Sequence, residues 1–178
     1  PMLNVRVEGW KSPVRIVCDS SLRIPLDSQI VRSAKEYRTI VAYAGREENE
    51  EITEKIEWLH AKGVDTVCCP DEKGQIDLKK LMTNLGNEGI DSILLEGGGT
   101  LNWSALESGI VQQVQAYIAP KLFGGRDAKA PIEGAGVPLP DAAFRLKNSR
   151  LEQLGKDFLI ESEVEYPCLP ESWKKSEQ

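Results

Sequence analysis

Short apolar runs alternate with amphipathic stretches along the first two thirds of the chain. Val14-Arg15-Ile16-Val17-Cys18 ends in Asp19-Ser20-Ser21, the pattern of a strand running into a polar turn. Thr39-Ile40-Val41-Ala42-Tyr43 repeats it and stops at Ala44-Gly45. Ile52, Ile56 and Leu59 then fall at i, i+4, i+7, one face of a helix that Gly63 ends. Val64 to Cys69 predicts a third strand, closed by Pro70. Asp77 is placed to N-cap a helix whose apolar face is Leu78, Leu81, Met82 and Leu85. Ser92 to Leu95 predicts a fourth strand, and Thr100 to Ser108 a helix ending at Gly109.

Alternation of this kind defines an α/β protein of three layers, with a largely parallel sheet and helices on both faces. The texture then changes. Val114 to Ala119 predicts another strand, and Pro120 to Pro140 a long loop rich in Gly and Pro. Arg145 to Leu154 and Asp157 to Glu165 flank Gly155-Lys156 as an antiparallel hairpin. The expected sheet is therefore mixed, mostly parallel with a C-terminal antiparallel hairpin. Residues 1–166 read as one domain and 167–178 as a polar tail.

Composition narrows the class. A chain of 178 residues can bury a real core. Net charge is −6 without a basic block, which argues against nucleic acid as the main partner. No apolar run reaches the ~18 residues of a membrane span, and no secretory leader is visible. Cys18, Cys68, Cys69 and Cys168 then read as free thiols of a reducing cytoplasm. Adjacent Cys68 and Cys69 point to opposite faces of a strand, and His60 is the one histidine, so ligand count speaks against a zinc site. Because the chain begins Pro1-Met2, it reads as a segment of a longer protein.

The candidate chemistry lies in Leu95-Glu96-Gly97-Gly98-Gly99-Thr100, where a strand is expected to meet a helix. Ligands of parallel α/β sheets sit beyond the carboxyl ends of the strands. Glycines there take positive φ or admit a ligand close to the backbone. The following helix offers unpaired N–H groups and the positive end of its dipole, which suits a phosphate. Asn102 stands where a Rossmann fingerprint has its third glycine, and no Gly-Lys-Ser/Thr follows, so neither that motif nor a P-loop is present. A tight turn without ligand remains the alternative. Glu96 either caps the helix or accepts hydrogen bonds from a ligand. Ser20 and Ser21 end another strand, and Arg6 and Arg23 are the basic residues in the same half of the chain.

Together, several stretches resemble one family. Pro1-Met2-Leu3-Asn4-Val5-Arg6, Pro13 to Ser20 with Leu22-Arg23-Ile24-Pro25, Leu95 to Leu101, and Ala119-Pro120-Lys121-Leu122-Phe123-Gly124-Gly125 occur in the order of the reductase domain of the bifunctional riboflavin-biosynthesis deaminase/reductase. The resemblance runs from Pro1 to about Tyr166. It implies a dihydrofolate-reductase-like fold. It also implies NADPH-dependent reduction of 5-amino-6-(5-phosphoribosylamino)uracil by hydride transfer to ribose C1′. No catalytic nucleophile or metal is implied; the protein positions cofactor against substrate.

By the same resemblance, Leu3, Arg6 and Glu96 match substrate positions, with Arg6 on the phosphate. Ser20 matches an NADPH position, and Gly98-Gly99-Thr100-Leu101-Asn102-Trp103-Ser104 match the segment that wraps the dinucleotide. Ser20, Ser21 and Arg23 are candidates for recognising the 2′-phosphate. The family further implies a cytoplasmic homo-oligomer fused to an N-terminal zinc deaminase domain. That domain's His-x-Glu and Pro-Cys-x-x-Cys do not occur here, nor do the reductase's own first strand and helix. The chain is accordingly expected not to deaminate and to turn over weakly alone. The competing readings are a nucleotide- or phosphate-binding α/β module without chemistry, and a structural or oligomerisation domain.

Overall fold

The computed structural model describes residues 2–45 and 50–166. The 167–178 tail and Pro1 lie outside them. The described residues fall into two compact units that divide between Ser92 and Ile93.

The first unit is a parallel sheet, in the order β1 (Arg15–Cys18), β2 (Thr39–Tyr43), β3 (Val64–Cys68). Arg15 pairs with Thr39, and Thr39 with Val64. Every residue of β2 is buried, as a central strand covered on both faces requires. On one face Val17, Val41, Tyr43 and Val64 pack with Ile30 and Val31 of α1 (Gln29–Arg32) and Leu59 of α2 (Glu50–Ala61). On the other, Ile40 and Ala42 are fully buried. The α3 helix (Leu78–Asn87) belongs to that side, where Asn84 Nδ2 donates to Cys69 Sγ at 3.3 Å. Asp77 caps α3 as its position predicts, accepting from Lys80 N at 3.0 Å, and Leu78, Leu81 and Leu85 are buried. Gly63 leaves α2 at φ +83°, so it can turn the chain where a side chain would be strained. The four-residue α1 has no counterpart in the sequence reading.

Burial also controls the thiols of this unit. Desolvation pushes Cys18 up from 9.0 to about 11, with Cys69 adding to the rise. Near pH 8 it then carries about a hundredfold less thiolate than an ordinary cysteine. Alkylation of Cys18 by iodoacetamide should be slow in the native chain and accelerate as pH rises towards 11. Peptide mapping checks this; labelling as fast as in the unfolded chain would contradict it.

In the second unit, α4 (Gly99–Glu107) precedes an antiparallel sheet in the order β4 (Gln113–Ile118), β6 (Asp157–Glu165), β5 (Arg145–Leu154). The predicted hairpin forms, turning at Gly155 with φ +66°. Between Lys147 and Arg150 the register shifts at a bulge, where Asn148 has φ +52°. A chain of edge-on aromatic contacts links helix and sheet. Trp103 of α4 meets Phe144 at 5.8 Å between ring centroids, and Phe144 meets Tyr166 at 5.6 Å. The Tyr166 hydroxyl then donates to Val111 O and accepts from Val111 N, both at 2.9 Å.

Two features differ from the sequence expectation. Parallel and antiparallel strands form two separately bonded sheets. The strand expected at Ser92 to Leu95 is absent: the segment is irregular, and Leu94 is 74% exposed. Its apolar side chains suit a buried strand, but a strand exists only where its backbone pairs with a neighbour, and none pairs with this segment among the described residues.

Candidate functional site

The three glycines that open α4 do different work. None has a positive φ, so of the two uses read from the sequence that one does not apply here. Gly98 is the N-cap at φ −62°, ψ 166°, and Asn102 N donates to its carbonyl at 3.0 Å. A Cβ on Gly97 would lie 2.7 Å from a Leu101 methyl, a flexible neighbour. A Cβ on Gly99 would lie 2.8 Å from the Ala130 carbonyl oxygen and 2.6 Å from Glu133 Cγ. Gly99 is therefore a packing glycine: the 130–133 loop rests on it, and Glu133 N donates to its carbonyl at 3.0 Å. Around Gly98 a Cβ would meet nothing within 4 Å. Internal packing thus accounts for two of the glycines and leaves the middle one open.

That opening lies at the N-terminus of α4, whose first N–H groups have no acceptor within the helix and carry the positive end of its dipole. No side chain caps Gly98. The geometry fits the pyrophosphate of a dinucleotide: open backbone, donors and no Cβ at the cap. Glu96 and Thr100 are exposed on either side. Further along the helix the side chains have internal partners. Asn102 Nδ2 donates to Pro131 O at 2.8 Å, and Ser104 Oγ to Thr100 O at 3.0 Å. Trp103 packs against Phe144 and over Gly134, while Leu101 is half-buried. Of the stretch from Gly98 to Ser104, the Gly98 to Thr100 end is the part that faces outward, apart from the packed Gly99.

In the first unit, Ser20 follows β1 at the carboxyl edge of the parallel sheet, where α/β proteins bind ligands. Ala44 N donates to its carbonyl at 3.0 Å, and its hydroxyl donates to Gln75 Oε1 at 3.4 Å. Gln75 is presented by a tight turn in which Asp71 Oδ1 accepts from Lys73 N at 2.8 Å and Gln75 N at 2.7 Å. Asp19 fixes the other side, accepting from Ile24 N at 2.6 Å. Ser21 is exposed, and Arg23 reaches Asp19 at 3.9 Å with most of its side chain in solvent. Leu3 and Arg6 lie on the N-terminal segment. Leu3 packs partly against the core with φ +49°, and Arg6 is exposed.

The sequence reading missed Gln75, and it placed a loop at 120–140 without its contact with α4. The Asp71-x-Lys73-x-Gln75 spacing carries a local turn signal. Contact between Gly99 and a loop thirty residues away has no local signature.

These elements are those of an α/β domain with an open helix N-terminus. The chain belongs to the RibD C-terminal domain family, whose profile matches residues 1–160. It is similar to the riboflavin biosynthesis protein RibD of Actinobacillus pleuropneumoniae, at 50% identity over 94% of this chain and 43% of that protein. It is similar also to the 2,5-diamino-6-ribosylamino-4(3H)-pyrimidinone 5′-phosphate reductase of Methanothermobacter thermautotrophicus, at 33% identity over 86% of this chain and 67% of that one. The solved RibD of Acinetobacter baumannii shares the fold, with a TM-score of 0.71 at 24% identity, covering 93% of this chain and 43% of that structure. The chain thus spans less than half the length of the RibD relatives it matches. The family resemblance read from the sequence is borne out, and with it the fold.

Proposed function

We propose that this chain reduces 5-amino-6-(5-phosphoribosylamino)uracil to its ribitylamino counterpart with NADPH, in riboflavin biosynthesis. The observation that carries the reading is the uncovered Gly98 at the N-terminus of α4, within a chain the reductase family matches from residue 1 to 160. Related chains named as pyrimidinone phosphate reductases support it. When bound, the nicotinamide supplies the hydride. The protein's residues bind, orient and screen: the backbone at Gly98 to Thr100 would receive the pyrophosphate, and Ser20 the cofactor's other polar groups. On the substrate side, Arg6 would pair with the phosphate through its guanidinium fork. Leu3 would pack against the substrate, and Glu96 would accept from its pyrimidine or sugar donors. With the sugar ring opened to an imine, C1′ is the electrophile and no protein nucleophile is required.

The wider reading has three more parts: a cytoplasmic location, a homo-oligomer, and fusion to a zinc deaminase domain. The RibD relatives, more than twice this chain's length in the Actinobacillus case, favour the fusion. No helix among the described residues is long and apolar enough to cross a membrane.

Titration with NADPH by nicotinamide fluorescence, repeated with NADH, tests the cofactor assignment. Saturable binding with preference for NADPH is the expected result; no binding of either would overturn it. Glu96→Gln should weaken substrate affinity about tenfold, the effect of a lost charge-assisted hydrogen bond, and leave NADPH affinity unchanged. Isothermal titration with each ligand reads both numbers, and an equal loss for the two would remove Glu96 from the substrate side.

A further inference from the structure

Arg15 is among the largest fully buried side chains of the first unit, at 1% exposure, and none of its hydrogen-bond partners is charged. Its Nε and Nη2 both donate to Thr39 Oγ1, at 3.1 and 2.6 Å. Nη2 also donates to the carbonyls of Ile30 at 2.9 Å and Tyr37 at 3.0 Å. Nη1 donates to Ser33 Oγ at 2.8 Å and to the carbonyl of Met2 at 3.1 Å. The guanidinium also lies 5.1 Å from the centre of the Tyr37 ring. Burying a cation with no carboxylate hydrogen-bonded to it is costly, with Glu36 offsetting part of the cost through space, and a stable sheet does not need it. What the arrangement gains is a rigid fork joining α1, the start of β2 and the N-terminal segment.

That segment is held at successive residues. The Met2 carbonyl is on Arg15, and the Tyr37 hydroxyl, whose ring faces Arg15, bonds the side chains of both Glu36 and Asn4. Val5 N donates to Ser12 Oγ at 3.2 Å. Between these ties, Leu3 has φ +49°, which a leucine adopts only where neighbours hold it there. Leu3 is also a proposed substrate contact, and Arg6 follows three residues later.

We infer that Arg15 and Tyr37 are positioning residues: they fix the Met2–Val5 backbone and so set substrate affinity without touching substrate. The inference rests on reading Leu3 and Arg6 as substrate contacts. A lysine at position 15 keeps the charge but cannot fork to Met2, Ser33, Ile30 and Tyr37 at once. A phenylalanine at position 37 keeps the ring and the main-chain carbonyl and loses the hydroxyl that bonds Asn4 and Glu36.

The test measures substrate and NADPH affinities of the full chain by calorimetry, using 5-amino-6-(5-phosphoribosylamino)uracil itself. The variants are Arg15→Lys, Tyr37→Phe, Asn4→Ala, the double variant of the last two, and Arg6→Ala. Tyr37→Phe should weaken substrate binding about fivefold, through loss of the bond to Asn4, and Arg15→Lys by more. NADPH affinity should stay within about twofold of the parent, since the parallel-sheet edge at Ser20 is untouched. Tyr37→Phe with Asn4→Ala should be no worse than Tyr37→Phe alone, because the bond to Asn4 is already lost there. Amide exchange at residues 3–6 should quicken in Tyr37→Phe.

If Arg6→Ala weakens substrate while Tyr37→Phe and Arg15→Lys do not, the positioning role is wrong and the substrate segment stands. Unchanged affinity in Arg6→Ala as well removes the segment from the substrate site, and the inference with it. Should Arg15→Lys fail to fold, Tyr37→Phe and Asn4→Ala still decide.

Discussion

Gly98→Val should fold as the parent does and lose most of its affinity for NADPH. The backbone at Gly98 is at φ −62°, ordinary for any residue, and an added Cβ meets nothing of the protein within 4 Å. Thermal stability should therefore change little. A branched side chain at the cap of α4 would stand where the pyrophosphate needs to reach the first-turn N–H groups. Affinity for NADPH should fall at least about tenfold, some 1.4 kcal/mol. A melting curve and a fluorescence titration on one preparation give both numbers. Preserved affinity would mean that the glycine turn is only a turn, as a domain without this cofactor would have it.

The neighbouring substitution should do the opposite. Gly99→Ala places a methyl 2.8 Å from the Ala130 carbonyl and against the Glu133 side chain, where the 130–133 loop closes on the helix. The main-chain oxygen cannot yield as a side-chain end would, so loop or helix must move. Overpacking of this kind costs about 1–3 kcal/mol. The melting temperature should fall by several degrees, and any loss of NADPH affinity should track the displaced helix start. A stable Gly99→Ala chain would show that the loop does not rest on α4 as described.

The contrast between these glycines marks where sequence reasoning stopped. Three glycines before a helix gave the place of the turn and the idea of a close approach. They did not tell which glycine faces outward, because the neighbours of Gly99 are Ala130 and Glu133, distant in sequence. The hairpin around Gly155-Lys156 was legible because alternation, turn chemistry and strand length agree locally. The β2 strand was legible because five consecutive apolar or β-branched residues suit a strand buried on both faces.

Ser92 to Leu95 shows the converse. Hydrophobicity says that a segment belongs against something apolar, whereas strand assignment depends on a partner backbone. The short α1 helix fell below the length at which periodicity speaks. Arg15 sits inside an apolar run, and its hydrogen bonds go to three other stretches of chain, so its burial has no local signal. The candidate site residues rest on the family resemblance, and the outward face of the Gly98 turn fits its cofactor part.

Hydride transfer is the claim on which the rest depends. The direct measurement incubates this chain with NADPH deuterated at nicotinamide C4 and the phosphoribosylamino-uracil, and follows product mass together with nicotinamide absorbance. Incorporation of one deuterium at C1′ of the ribitylamino product, from cofactor carrying deuterium on both C4 faces and matched by equal cofactor oxidation, is the predicted result. Saturable binding of both ligands with no deuterium in the sugar would contradict it and leave a nucleotide-binding module in place of a reductase.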